Sequence, residues 1–235
     1  KPLCASAMRA FQQWGLKGKD VSFPASSYNL IAMGNPFDCD IGLANLFDGF
    51  QQVHRNNRLN KNLMNIVQNF RLFAAYNQWA NSLIFGSAGK LSSDAYKRDV
   101  SVYFKSMHGT LNHVLVADRI WMKRFTETGE HPASLDAILT DDFETLNELR
   151  KNEDQRIINW VNTLDEVQLG GKFTFTPMTS PDPVTQKLGP CLSHFFNHQT
   201  HHRGHAHMIL SVLGENPPSM DMVYFLRLPV AKDWQ

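Results

Sequence analysis

The sequence predicts an all-α protein, a four-helix bundle with an irregular N-terminal extension and a short β-like connector before the fourth helix. Three observations predict it: four long stretches with apolar residues at three- and four-residue spacing, Gly and Pro at their ends, and a crowd of histidines inside the last stretch. The 235 residues suffice for one ordinary domain with an appendage, and 43% hydrophobic with 19% charged residues is the balance of a soluble globular chain.

The first sixty residues carry scattered Gly, Pro, Asn and Ser, as in Gly34-Asn35-Pro36, and hold no sustained period. Their opening has several bases and no acid before Asp20, a slight likeness to an organelle transit peptide; a trimmed terminus is the other reading. From residue 63 to about 85, Leu63, Ile66, Val67, Phe70, Phe73, Ala74 and Trp79 mark the first helix, which Gly86 and Gly89 stop. The second spans about 99–126 on Val102, Met107, Leu111, Val114, Leu115, Ile120, Trp121 and Phe125, and ends at Gly129. Acids crowd the start of the third, about 142–164, whose apolar face is Leu146, Leu149, Ile157, Ile158 and Val161. Lys172-Phe-Thr-Phe-Thr-Pro177 alternates like a strand, and the fourth helix follows over about 185–213 to Gly214 and Pro217-Pro218. The reading places one long crossover between the third and fourth helices and lays residues 219–235 over one end of the bundle.

Charge narrows the function. The 23 Lys and Arg nearly cancel the 22 Asp and Glu, so nothing attracts phosphate backbones or anionic lipid, and no nucleic-acid partner is expected. Apolar runs such as 120–122 and 208–213 fall far short of the roughly 20 residues of a membrane span. Cys4, Cys39 and Cys191 are too few and too scattered for a disulfide framework or a thiolate cluster, which fits a reducing, cytoplasmic setting.

Histidine is the anomaly: six of ten lie between His194 and His207, with His108 and His113 on the second helix. On a helix, positions four apart stack with Cβ atoms about 5–6 Å apart, so two imidazoles can reach one ion at about 2.1 Å while another helix supplies a third ligand. His194 with His198, His198 with His202, and His201 with His205 all have that spacing, and spacing alone does not choose among them. His198, His202 and His205 lie near the apolar side, whereas His201 and His207 point to solvent.

Asn197-His-Gln-Thr-His-His-Arg-Gly204 resembles the fourth-helix signature of the DinB superfamily of metal-dependent bundle proteins. Ala75-Tyr-Asn-Gln-Trp-Ala-Asn81 is similar to the first-helix motif and Thr110-Leu-Asn-His-Val-Leu-Val-Ala-Asp-Arg-Ile-Trp121 to the second. The resemblance covers residues 60–228, leaving 1–59 as an extension of unknown role and 229–235 as a tail. It implies an up-down-down-up bundle whose ligands are His113, His198 and His202, with His108 and His201 as bystanders. Where the family has glutamine after Arg-Gly, this chain has His205, a further ligand or a donor to one. Tyr76 and Trp79 are expected to pack, and Asp118 and Arg203 either to orient ligands or, for Asp118, to face water.

Three neutral ligands would leave a divalent metal, zinc or nickel, with its full charge and an open position. The resemblance then implies an S-transferase or isomerase that uses a low-molecular-weight thiol such as bacillithiol, mycothiol or glutathione on a small-molecule substrate, in detoxification or stress. The reaction of relatives that carry a second catalytic domain is not expected. A metal-dependent hydrolase and a non-catalytic metal-binding protein, the latter a homodimer through its N-terminal segment, are the alternatives. Cys191, roughly 10 Å along the axis from His198, is read as a buried structural cysteine.

Overall fold

Most helix starts among the described residues are set by side chains that accept the first free backbone N–H groups. In the computed structural model, which describes residues 64–235, Asn65 caps α1 (Ile66–Ala88) and closes a capping box with Gln68. Ser92 caps the short α2 (Ser93–Lys97), Ser106 caps α3 (Met107–Thr126), and Asp142 caps α4 (Phe143–Thr163). The turn α5 (Glu166–Gly170) leads to the antiparallel pair β1 (Lys172–Phe175) and β2 (Val184–Lys187), from which α6 (Leu188–Val212) grows directly. A short α7 (Met222–Phe225) and a 3-10 turn (Pro229–Trp234) follow. The N-terminal extension, its transit-peptide likeness, Cys4 and Cys39 lie outside the described residues. No helix among the described residues is long and apolar enough to cross a membrane.

Helices α1, α3, α4 and α6 form the bundle, and their contacts give the directions. Arg71 reaches the Asn162 and Leu164 carbonyls while Phe85 meets Phe143, so α1 and α4 are antiparallel. Asp118 pairs with Arg150 and Thr126 with Arg156, so α3 and α4 run parallel. His113 meets His202 and Trp121 meets His194, so α6 opposes α3. Up-down-down-up is the result.

Four features differ from the sequence reading. The long crossover joins the second and third bundle helices: residues 127–142 return along α3, with Leu135 beside His113 and Thr140 beside His108. The connector between the third and fourth, although longer, stays at one end, because those helices are antiparallel and need only a hairpin. The second helix begins at Met107, since residues 98–106 form a turn with Ser101 and Lys105 at positive φ; Val100 and Val102 pack on the core from that turn and so mimic helical spacing. Its end at Thr126 is the expected one, capped by Glu127 in the left-handed region two residues before Gly129. The fourth helix starts at Leu188 because Val184–Lys187 pairs with β1. Finally, the C-terminal segment lies along the flank of α1, where Phe225 and Ala231 pack with Leu72, Tyr76 and Ala80.

Two apolar clusters fill the bundle. One holds Phe70, Met122, Ile157, Leu192, Phe195 and Phe196, and the other Ile84, Leu111, Leu115, Leu146, Ile209 and Leu210. Along every bundle helix a buried polar position separates them. Asn77 and Asn81 come from α1, Asp118 from α3, Arg150 and Asp154 from α4, and Gln199 and Arg203 from α6. Arg150 donates to Asp118 at 2.5 Å and lies 3.0 Å from Asp154. Gln199 donates to Asp118 at 2.7 Å, Asn81 to Asp154 at 2.9 Å, and Arg203 to Asn77 and Asn81. Against burial, which works to lower it, Asp154 and Asp118 hold the Arg150 guanidinium above its ordinary value, so it stays charged.

Removing one member of a buried pair strands its partner's charge. Arg150→Ala is therefore expected to cost about 3–5 kcal/mol, against under about 1 kcal/mol for the exposed Lys151→Ala, as urea unfolding would measure.

Candidate metal centre

The site begins with the period of α6. His198 and His202 are one turn apart and face α3 across the seam of the two helices, where His113 projects from the opposite side. The three Nε2 atoms converge: His113 lies 3.3 Å from His202, and His202 lies 3.1 Å from His198. Two neutral imidazole acceptors so close have no proton to share between every pair. Tetrahedral ligands about 2.1 Å from one ion are about 3.4 Å apart, so this spacing suits a shared cation.

The chain prepares these nitrogens. The Nδ1–H of His113 donates to the Leu135 carbonyl at 2.7 Å, which leaves Nε2 as the acceptor. Leu135 is held there by the crossover, which Asn112 pins by accepting from the Leu139 and Thr140 amides. His108 adds a bond from Nε2 to the Thr140 carbonyl at 3.1 Å. On the other face of His113 the Phe104 ring stacks with a centroid separation of 3.8 Å and a 17° tilt, and it meets His202 edge-on. Gly109 permits this approach, because a Cβ there would lie 2.1 Å from the Phe104 carbonyl oxygen.

Burial lowers all three histidines. His198 is brought down to about 4 and His202 to about 3, by burial first and then by the charges of neighbouring histidines. His113 is also lowered, burial outweighing its bond to Leu135 and the pull of Asp118 and Asp136. The neutral form, which binds metal, is thus the one the fold keeps.

Two groups of metal-capable side chains occur among the described residues: His113, His198 and His202, and a second of His201, His202 and His205. Neither contains a carboxylate or a thiolate. His205 stands with His201, not with His113 and His198. His108 is buried yet lies outside both groups, tethering the crossover instead. Cys191 is buried and donates to Gln186, and burial raises its thiol. Asp118 does not face water, nor does it bond a histidine; it and Arg203 belong to the buried polar layer. Tyr76 and Trp79 pack against Phe225, with the Tyr76 hydroxyl donating to the Met220 carbonyl. Sequence reasoning missed Phe104, Asn112 and the Leu135 carbonyl. Asn112 lay inside a motif and could have been flagged, but a backbone carbonyl leaves no mark in sequence.

Comparison with known proteins gives the family of the fold. The model of the DinB family matches residues 60–232. Over 156 residues the chain is 26% identical to Protein DinB of Bacillus subtilis (strain 168), an alignment covering 62% of this chain and 86% of that protein.

Two outcomes follow. In unfolded chains histidine takes up a proton near 6.5, whereas folded His198 and His202 resist until about 4 and about 3. Metal-free protein therefore loses stability as pH falls from about 6.5 toward about 3. Asp154, raised to about 6 by burial, works in the opposite sense over its own range. Thermal melts of chelator-treated protein at stepped pH should show a shallower loss in His198→Ala/His202→Ala than in wild type. Separately, Phe104→Ala should weaken zinc binding by about tenfold or more in a competitive chelator titration, with little change in helix content.

Proposed function

The chain belongs to the DinB family, and we propose that it is a metal-dependent enzyme whose His113, His198 and His202 hold one divalent ion, zinc or nickel. Its reaction is the transfer of a low-molecular-weight thiol to a small electrophile, or a related thiol-assisted isomerisation. The observation that carries this reading is the convergence of three uncharged Nε2 atoms with no carboxylate or thiolate in their group. An ion in such a set keeps its double positive charge and can supply the acidification of a coordinated thiol.

The protein's own residues do the rest. Leu135 fixes the orientation of His113, and Phe104 covers its face, so the site has one apolar wall. Tyr103, 88% exposed and edge-on to Phe104, extends that wall outward as a surface for an apolar electrophile. His198 is only half-buried, which makes its side the route for a substrate. Two surface hollows among the described residues, one beside Arg156 and Trp160 and another beside Tyr96 and Phe143, lie apart from these histidines. In this reading the thiol comes from outside; Cys191, the cysteine among the described residues, is buried and hydrogen-bonded to Gln186.

The test combines metal analysis with turnover of an electrophile panel, with and without glutathione, bacillithiol or mycothiol. Thiol-dependent turnover that is lost in His198→Ala is expected. Thiol-independent turnover would indicate a hydrolase instead, and stoichiometric metal without turnover a binding protein. Within the same series His113→Ala should lose the metal and His108→Ala should keep it; the reverse would overturn the ligand assignment.

A further inference from the structure

The second histidine group is not absorbed by that reading. His201 and His205 are one turn apart on α6, with ring centroids separated by 4.4 Å, and His201 is exposed while His205 is half-buried. The nitrogens of His201, His202 and His205 all lie within 4.8 Å of one another. Imidazoles four apart on a helix are spaced to share one ion, and they favour borderline divalent metals over calcium or magnesium. His202 does not belong to this pair through Nε2, which already faces His113 at 3.3 Å and His198 at 3.1 Å. Its other ring nitrogen, Nδ1, is buried and makes no hydrogen bond.

We propose that His201 and His205 form a second metal site, a two-histidine chelate on the solvent side of α6, adjacent to the three-histidine group and distinct from it. Two protein ligands leave the remaining positions to water, so this site binds more weakly than the first. It takes zinc, nickel or copper(II) and exchanges with the free ion, because His201 stands at the surface.

Equilibrium dialysis of the full chain against increasing Ni2+, with metal analysis of the protein, tests this. Wild type is expected to take up a tight equivalent and then a weaker one. His201→Ala/His205→Ala should lose the weaker equivalent and keep the tight one, and His113→Ala/His198→Ala should do the opposite. The proposal is overturned if wild type shows no weaker equivalent, or if that equivalent survives in His201→Ala/His205→Ala. It is equally overturned if His205→Ala removes the tight ion, which would make His205 a ligand of the first group. Absence of the tight equivalent from wild type, with the weaker one present there and lost in His201→Ala/His205→Ala, would count against the three-histidine reading while leaving the pair assigned.

Discussion

The polar layer that divides the core is the constraint on which the rest depends. Arg150 offsets its desolvation cost by meeting Asp118 and Asp154 together, and Arg203 by meeting Asn77 and Asn81, with Thr200 and the Tyr76 ring beside it. These partners sit on different helices, so satisfying them fixes how far each helix can slide or rotate. Apolar packing alone would tolerate neighbouring registers far better. The layer is balanced, with two arginines against two aspartates, and so adds no net charge to the interior.

That register also builds the candidate metal centre. Gln199 and Arg203 follow His198 and His202 directly in sequence, and each step along a helix turns the side chain by about 100°. When Gln199 reaches Asp118 and Arg203 reaches α1, His198 and His202 are turned toward α3, where His113 waits. The convergence of the three histidines is thus inherited from a hydrogen-bond network that bonds none of them. The crossover supplies the remaining element: because α3 and α4 are parallel, the chain must travel back along α3, and on the way its Leu135 carbonyl orients His113.

The sequence revealed the parts of this that depend on periodicity and caps. Asp142 and the acids after it announced the third bundle helix to within a residue, and Gly214 with the double proline marked the end of the fourth. Direction was less visible, since an amphipathic pattern reads the same up or down; the crossover was consequently assigned to the longer connector. His108 and His113 could not be separated by spacing either. Five residues apart, they differ by about 140° around the helix, and only the position of α6 tells which one faces the seam. Phe104 was hidden for another reason: it lies in a turn whose valines imitate the helix that follows.

The crowding of histidines on α6 has a geometric sense once the seam is placed. Residues 198 and 202 occupy one stripe and residues 201 and 205 the next, offset by one position in sequence, so the same four-residue spacing repeats on two adjoining faces. Among the described residues only the inner stripe has an opposing helix to supply a third nitrogen and an aromatic ring to exclude water. Burial there suppresses protonation, which removes the chief competitor of a metal for imidazole. The outer stripe has solvent in place of α3. The same histidine spacing therefore meets two environments of different burial, and the difference is set by what faces the helix and not by the histidines themselves.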